Sequence, residues 1–406
     1  MTSPHPRRRA AYPAVAPAVA LAVAAAVATA AALWAAPGAD SPAPPAAAPP
    51  ASVPAAPPAA PSAAGPPAAV IGSAAAVAPA SRAPGTPAAL SPRASVMLAR
   101  ARPAGRWPGD SGLSGANGDP VNDRAAVERF CAARGRSCGV AQTYTDRTSW
   151  ESMTRGTGWT FADYAGFPGV LVVSQGLVPE GRAADLPGCA RGDFDAHWRD
   201  FGALMVRHGR GDSIVRLGWE FNGTFMPWHA TDTATWIACF RRAADGIRAG
   251  NPAALIDWTI NAHGTPAGVC GGRSTNCYPG DAYVDIVGID NYDHWPASRT
   301  RAQFDATANR PEGLTWLLAF ARRHGKLFAV GEWGVVPTGD AGRENPGYVR
   351  WMHAWFARHA PHLAYEAYFS NCEAGGVQSS LFRAGDAGCR ANPGSARAYA
   401  ALWGRP

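Results

Sequence analysis

From about residue 105 onward, short apolar runs alternate with amphipathic stretches along the chain. The apolar runs predict eight strands, at 112–115, 140–143, 170–173, 214–218, 254–260, 284–289, 327–330 and 362–368. The amphipathic stretches between them predict helices at 122–134, 148–154, 194–208, 232–249, 302–324 and 346–359. Asp232 is suited to cap the start of the fourth helix, and the Gly-Asn-Pro run at 250–252 is suited to end it.

This alternation predicts an α/β fold with a parallel sheet. Eight strands in about 300 residues match a (β/α)8 barrel, the TIM barrel, in which active sites lie at the C-terminal ends of the strands. A doubly wound open sheet is the alternative, but no glycine-rich phosphate loop follows an early strand. We therefore expect a (β/α)8 barrel.

The first 36 residues are predicted to be a signal peptide or a membrane anchor. Three arginines at 7–9 precede an apolar, alanine-rich run over 10–36 with small residues suited to signal cleavage. The run is longer than the ~20 residues that span a bilayer, so a cleaved signal and a retained membrane tether both stay open. Either way the remainder is expected outside the cytoplasm, in a secreted or cell-surface protein. The alanine- and proline-rich stretch 37–95 predicts a disordered linker, and 96–406 the globular domain.

The charge of the chain is uneven and bears on its partners. The first 106 residues hold eight arginines and one acidic residue, Asp40. Subtracting these from the totals of 37 basic and 30 acidic residues leaves 29 of each, so the formal charge of +7 lies entirely in the N-terminal part. The globular part has no basic stripe with interleaved aromatic residues, so we expect no nucleic-acid partner. We expect a monomer.

All eight cysteines lie in the globular part, and an even number is typical of an exported protein with disulfide bonds. Eight cysteines permit 105 pairings, which sequence alone cannot distinguish. Short loops favour the pairs Cys131–Cys138, Cys270–Cys277 and Cys372–Cys389, leaving Cys189–Cys239. A zinc cluster is the competing interpretation, but the spacings are irregular and Cys-x-x-Cys is absent. We expect neither a metal ion nor a cofactor.

Two glutamates, Glu220 and Glu332, each follow a predicted strand, precede a glycine and have a tryptophan beside them. A pair of carboxyl groups at strand ends is the requirement for cleaving a bond between sugars. One carboxyl protonates the leaving oxygen, and the other attacks or supports the positively charged anomeric centre. Arg216 lies four residues before Glu220, so strand alternation predicts that both side chains point to the same face.

Three motifs resemble family 26 of the glycoside hydrolases, the β-mannanase-type family. They are Arg-Leu-Gly-Trp-Glu-Phe-Asn-Gly at 216–223 followed by Pro-Trp at 227–228, the run 278–292 that ends in Ile-Asp-Asn-Tyr, and Gly-Glu-Trp-Gly at 331–334. Their order and spacing are those of the family, on predicted strands four, six and seven, and the resemblance covers most of 110–406. It implies a retaining (β/α)8 enzyme acting on β-linked polysaccharide, with Glu220 as acid/base and Glu332 as nucleophile.

The chain departs from the family pattern at two positions. Trp219 stands where the family's mannanases usually have histidine, and Tyr368 lies near a strand-eight end that commonly offers tryptophan. Both changes concern the sugar subsite at the point of cleavage. β-Mannan is therefore the default substrate, with β-glucan, β-xylan or a bacterial exopolysaccharide as alternatives. A non-catalytic glycan-binding barrel of a cell-surface polysaccharide system is the alternative function, which Trp219 keeps open.

The remaining candidate residues surround the two glutamates. The substrate-binding candidates are Arg216, Trp219, Asn222, Trp228, Asn261, Tyr292, Trp333 and Tyr368. Among these, Trp228 and Trp333 offer faces for stacking on sugar rings, and Asn222 can hydrogen-bond a sugar hydroxyl. Arg216 or Tyr292 can hold the nucleophile ionised. His263, His294 and Trp295 follow strands five and six and are candidates for lining the groove or a distal subsite.

Overall fold

The computed structural model describes residues 114–383, 386 and 388–404, together with residues 90, 92, 95, 107 and 108. The predicted export segment 1–36 and almost all of the predicted linker 37–95 lie outside the described residues. Within the described residues, no helix combines the length and the apolar character that crossing a membrane requires.

Eight parallel strands close into a barrel in sequence order, which confirms the predicted fold class. The strands are β1 (Ser114–Asn117), β2 (Val140–Tyr144), β3 (Val170–Gln175), β4 (Ile214–Leu217), β5 (Leu255–Asn261), β6 (Ile286–Tyr292), β7 (Leu327–Gly334) and β8 (Leu363–Tyr368). All eight predicted strands are present. Strands β5, β6 and β7 run further than the predicted segments, so that Asn261, Tyr292 and Glu332 belong to the strands themselves.

The helices surround the barrel and deviate from the prediction in four places. They are α1 (Arg124–Ala133), α2 (Trp150–Thr154), α3 (Gly158–Ala162), α4 (Leu186–Arg191), α5 (Asp195–Arg207), α6 (Thr233–Gly250), α7 (Arg301–Asn309), α8 (Leu314–Arg323), α9 (Pro346–His359) and α10 (Pro393–Trp403). The short helices α3 and α4 and the C-terminal α10 were not predicted. The predicted helix 302–324 is two helices, because Pro311 lacks an amide proton and Glu312 adopts a left-handed φ of 62°. Asp232 caps α6 as predicted.

The barrel interior changes character along its axis. Its N-terminal part is an apolar layer contributed by β2 to β8, including Val172, Ile214 and Tyr365, and Leu90 packs against this layer. Toward the C-terminal ends of the strands the inward side chains become polar, as in Ser174 and Arg216. Strand side chains alternate, so the intervening positions face the surrounding helices and form the larger core. The polar end is where the candidate site lies.

Four disulfide bonds join the eight cysteines, with no cysteine left free. The pairs are Cys131–Cys138, Cys189–Cys239, Cys270–Cys277 and Cys372–Cys389. This is the pairing that short loops favoured. Disulfides persist in oxidising compartments, so the four bonds fit an extracytoplasmic protein.

Candidate active site

Glu332, on β7, is held by three hydrogen-bond donors from three other strands. Tyr144 on β2 donates its hydroxyl to Oε1 at 2.7 Å, and Arg216 on β4 donates to the same oxygen at 3.0 Å. Tyr292 at the end of β6 donates to Oε2 at 2.9 Å. Burial raises the pKa values of both tyrosines well above the usual value, so each hydroxyl keeps the proton that it donates. These three hydrogen bonds fix the orientation of the Glu332 carboxyl group.

Arg216 lies inside the barrel and links several strands. Its side chain is fully buried and donates to both carboxylate oxygens of Asp290 on β6 and to Ser174 Oγ on β3. Gly331 leaves the space that the guanidinium occupies, because a Cβ at that position would lie 2.5 Å from Arg216 Nε. The Gly-Glu pair of β7 thus has a physical reason: the glycine admits the arginine, and the following glutamate accepts from it.

Glu220 lies in the turn after β4 rather than on the strand. The strand ends at Leu217, and Glu220 has a left-handed φ of 55°. Strand alternation therefore does not extend to Glu220, although the charge of Arg216 still acts on the Glu220 carboxyl group. Its amide donates to the carbonyl of Thr259 on β5 at 3.0 Å, which fixes the turn. A left-handed conformation costs a non-glycine residue about 1 to 3 kcal/mol, and such strain clusters at functional sites.

The carboxyl group of Glu220 meets a less polar environment than that of Glu332. One hydrogen bond from a protein side chain reaches it, from Asn261 Nδ2 to Oε1 at 2.7 Å. Burial, and next the nearby charge of Glu332, raise the pKa of Glu220 to about 8. Both glutamates are 6 % exposed as whole residues. The site thus combines a glutamate whose pKa is raised with a glutamate that accepts three hydrogen bonds.

A chain of hydrogen bonds supports Asn261 from behind. Asn222 accepts from the amide of Asn261 at 2.7 Å and donates back to its carbonyl at 2.9 Å. Asn222 also contacts Thr265 Oγ1 at 3.3 Å, and Thr265 donates to Glu312 at 2.8 Å. Because Asn222 is fully buried by these contacts, its predicted role in binding a sugar hydroxyl was wrong. It holds the end of β5 in place instead.

The predicted aromatic platforms are core residues, and this part of the prediction was wrong. Trp228 and Trp333 are both 0 % exposed, so neither can stack on a sugar. Trp228 donates its indole N–H to the carbonyl of Trp219, whereas Trp333 donates to Glu366 and packs against α10. Tyr368 is buried as well and donates to the carbonyl of Ser379. Trp333 neighbours Glu332 on a strand, so alternation turns it toward the helices.

Trp219 lies next to Tyr144, a hydrogen-bond partner of Glu332. Its ring meets that of Tyr144 edge-on, with centroids 5.7 Å apart, and Trp228 packs on its other side at 4.7 Å. The guanidinium of Arg147 lies 5.5 Å from the ring centroid. Trp219 is 3 % exposed, so it closes the wall of the site behind Tyr144.

Tyr144, Gln142 and Asp290 are site residues that the sequence did not single out for these roles. The amide of Gln142 lies 2.8 Å from the Tyr144 hydroxyl, which in turn reaches Glu332. A polar residue at every second position near the end of β2 was the available signal, because such side chains point into the barrel. Asp290 lies on β6, just past the predicted strand segment, and is the buried partner of Arg216.

One group of potential metal ligands occurs in the described residues, formed by Asp119, Cys372 and Cys389. The two sulfur atoms are bonded to each other, so they are not available as thiolate ligands. The group is therefore a carboxylate beside a disulfide bond.

Comparisons with known proteins find similar folds among glycoside hydrolases. No family model matches the chain. The catalytic domain of a GH26 endo-β-1,4-mannanase from Bacillus sp. JAMB-750 superimposes with a TM-score of 0.54, at 17% identity over 78% of this chain and 92% of that one. A double mutant of the Cellulomonas fimi endo-β-1,4-mannanase superimposes with a TM-score of 0.53, at 19% identity over 79% of this chain and 78% of that one.

A curated relative also matches part of the sequence. Endoglucanase H of Acetivibrio thermocellus is 26% identical over 182 residues, which cover 43% of this chain and 19% of that protein. The chain therefore spans about a fifth of the length of that relative. The structural matches agree with the resemblance seen in the three motifs. The chain shares the (β/α)8 fold of family 26 glycoside hydrolases.

Proposed function

We propose that this protein is a retaining glycoside hydrolase that cleaves β-linked polysaccharide. The observation that carries the proposal is that two carboxyl groups at one end of the barrel lie in contrasting environments. Glu332 accepts from Tyr144, Arg216 and Tyr292, whereas Glu220 is buried with a single donor and a pKa raised to about 8. Two carboxyl groups whose environments separate their protonation states are the requirement for acid/base and nucleophilic roles.

In the first step the Glu332 carboxylate attacks the anomeric carbon, and the bond to the leaving sugar breaks. Glu220 gives its proton to the departing oxygen, so that the leaving sugar chain departs with a free hydroxyl and a glycosyl ester remains on Glu332. In the second step Glu220, now ionised, takes a proton from water, and the resulting hydroxide displaces Glu332 from the anomeric carbon. Glu220 is protonated again, and the anomeric configuration of the product equals that of the substrate.

The residues around Glu332 prepare it for this role. Tyr292 holds Oε2 and Tyr144 holds Oε1, which fixes the orientation of the carboxylate. Arg216 places a positive charge 3.0 Å from Glu332, and Asp290 holds the guanidinium in position. Asn261 orients Glu220 by a hydrogen bond. These five side chains act through the two carboxyl groups.

β-Mannan is the substrate that we propose first. The superimposed Bacillus and Cellulomonas proteins are described as endo-β-1,4-mannanases, and the curated relative as an endoglucanase. β-Glucan and β-xylan are the competing substrates because Trp219 replaces the histidine of the mannanases. A bulky indole behind Tyr144 leaves less room than an imidazole.

We propose an extracytoplasmic location, in which the protein is secreted or attached to the cell surface. The four disulfides and the arginine-then-alanine pattern of the first 36 residues support this location. The segment 37–95 would then separate the barrel from a membrane if the first segment is retained. The barrel carries both carboxyl groups on one chain, which is sufficient for a monomeric enzyme.

The test is a screen of the purified protein against β-1,4-mannan, mixed-linkage β-glucan and β-1,3-xylan, with release of reducing ends as the readout. We expect turnover of at least one polysaccharide and none by Glu332→Ala. Azide should restore turnover of an activated aryl glycoside by that variant and yield a product of inverted configuration. Binding without turnover by the natural protein would overturn the proposal in favour of a glycan-binding barrel.

A further inference from the structure

Three aromatic side chains after β5 and β6 form a cluster next to Tyr292 and Asn261. His294 stacks on Trp295 with ring centroids 4.1 Å apart, and His263 meets His294 edge-on at 4.4 Å. Trp295 also approaches His263, at 5.8 Å. Tyr292, which donates to Glu332, lies 5.9 Å from His294. We call His263, His294 and Trp295 the histidine–tryptophan cluster.

His263 lacks the hydrogen bonds that its burial requires. Both of its ring nitrogens are buried, and neither has a partner among the described residues. A buried polar atom without a partner costs about 1–3 kcal/mol, so native proteins rarely leave two on one side chain. The covering groups are the His294 and Trp295 rings, which offer no hydrogen bond to it. A water molecule or a ligand hydroxyl can supply the hydrogen bonds that the described residues do not provide.

The hydrogen bonds of the cluster lead to Glu220, whereas its contact toward Glu332 is the ring contact between His294 and Tyr292. The amide of His263 donates to Asn261 Oδ1 at 2.8 Å, and the same Asn261 donates to Glu220 Oε1 at 2.7 Å. Glu220 must face the oxygen of the sugar that leaves, because it protonates that oxygen. His263, which is linked to Glu220 by hydrogen bonds through Asn261, is therefore expected on the leaving-group side of the cleaved bond.

The loop that carries Trp295 is anchored from below. Asp340 accepts from the amides of Trp295 and Ala297 at 3.1 and 2.7 Å, and Asp293 accepts from the amide of Ser298 at 2.8 Å. Trp295 has a left-handed φ of 46° and is partly exposed. An anchored backbone in a costly conformation with a partly exposed indole is typical of a ligand contact.

We propose that the histidine–tryptophan cluster binds the first sugar unit on the leaving-group side, with the Trp295 ring moving off His263 so that a sugar hydroxyl reaches it. This inference rests on the proposed glycosidase function and deepens it. A neutral imidazole offers one donor and one acceptor, which match the two capacities of a hydroxyl group.

The charge state of His263 supports this binding mode. Burial, and next the positive charge of Arg310, lower the pKa of His263 to about 4, against an opposing effect of Asp340. His294, the other titratable group facing it, has a pKa lowered well below the usual range by burial and by His263. Both rings are therefore neutral at the pH at which Glu220 is protonated, so binding here needs no ionised sugar.

The test compares two substrates that differ in the leaving group. The first is β-1,4-mannopentaose, cellopentaose or laminaripentaose, whichever the natural protein cleaves; the second is the 2,4-dinitrophenyl glycoside of the corresponding disaccharide, which has no leaving sugar. In the full chain, His263→Phe should lower kcat/KM for the pentasaccharide about tenfold and leave the dinitrophenyl glycoside unchanged. Trp295→Ala should act in the same direction, and His263→Asn should restore part of the loss.

Stability separates a binding role from a structural one. His263→Phe removes two unpartnered buried nitrogens, so its melting temperature should equal or exceed that of the natural protein. His324→Phe, on an exposed histidine at the end of α8, is the control and should alter neither substrate. An equal loss on both substrates, or no loss on the pentasaccharide, would overturn the subsite. If the natural protein cleaves none of the three pentasaccharides, the proposed function fails instead.

Discussion

The two carboxyl groups of the site differ in what surrounds them, although both are glutamates at the same end of one barrel. Glu332 accepts hydrogen bonds from two tyrosines and an arginine that come from β2, β6 and β4. Glu220 accepts one side-chain hydrogen bond, from Asn261, and burial raises its pKa to about 8. Identical side chains thus acquire different roles from their neighbours, since donors favour the ionised form and burial favours the neutral one.

The largest effect should follow from removing the acid. Glu220→Ala is expected to lower kcat/KM for the polysaccharide about 10²–10⁴-fold, the usual contribution of general acid catalysis. Formation of the glycosyl-enzyme from a dinitrophenyl glycoside should change little, because that leaving group needs no proton. Steady-state and burst kinetics on both substrates measure the difference, with the exposed Glu128→Ala as control. Equal losses on both substrates would contradict the assignment of the acid.

Breaking the ion pairs of Arg216 with Asp290 and Glu332 should lower both the stability and the activity of the protein. Arg216→Leu leaves the buried Asp290 carboxylate without its ion-pair partner. Such a loss typically lowers the free energy of unfolding by about 3 to 5 kcal/mol. It also removes one donor from Glu332, so kcat should fall as well. Arg248→Leu breaks a second largely buried ion pair, with Asp285, and should lower stability alone. Denaturant titration measures the loss of stability, and kcat measures the loss of activity. An Arg216 variant with unaltered kcat would show that the arginine is structural only.

The raised pKa of Glu220 predicts a pH-dependent stability. The unfolded chain releases this proton near pH 4.5, whereas the folded protein holds it up to about pH 8. Between these values the folded state binds more protons, so rising pH lowers the free energy of unfolding. Glu220→Gln abolishes this penalty, so its melting temperature should gain on that of the natural protein from pH 5 to pH 8. A difference that stays constant over this range would refute the raised pKa.

The smallest effect should come from the remote end of the hydrogen-bond chain behind the acid. Glu312→Gln alters the carboxylate that accepts from Thr265 and from the amide of Ser274, and hence the support of Asn222. We expect about a fivefold loss of kcat/KM on the polysaccharide, as for one weakened hydrogen bond, and less on a dinitrophenyl glycoside. Glu344→Gln alters a similar carboxylate that holds the start of α10 and should leave both rates unchanged. If Glu312→Gln and Glu344→Gln have equal rates, the hydrogen bonds that position Glu220 for catalysis do not extend beyond Asn261.

Local sequence patterns predicted the barrel and both glutamates, because strand periodicity and capping depend on neighbouring residues. Each of the eight strands overlaps its predicted segment, and the four disulfides follow the short-loop pairing. The donors to Glu332 were only partly predictable. Tyr144 lies 188 residues away along the chain, and only the closed barrel brings its hydroxyl to the carboxylate.

The errors concern which face of the chain a side chain occupies. Trp333 stands beside Glu332 in sequence but faces Trp403 on α10, a helix that was not predicted. Without that helix, a tryptophan next to a catalytic residue has no evident core to join. Asn222 was misassigned in the same way, since its partner Asn261 belongs to the next strand. Predicting such contacts requires the register between strands and helices, which local patterns do not contain.

The most direct test is to identify the residue that becomes covalently bound to the sugar. A 2-deoxy-2-fluoro glycoside with an activated leaving group slows the second step, so the glycosyl ester accumulates on the nucleophile. Peptide mapping by mass spectrometry then locates it. We predict the label on Glu332 in the natural protein and no label in Glu332→Ala. A label on Glu220, or inversion of configuration without any labelled peptide, would contradict the division of roles between the two glutamates.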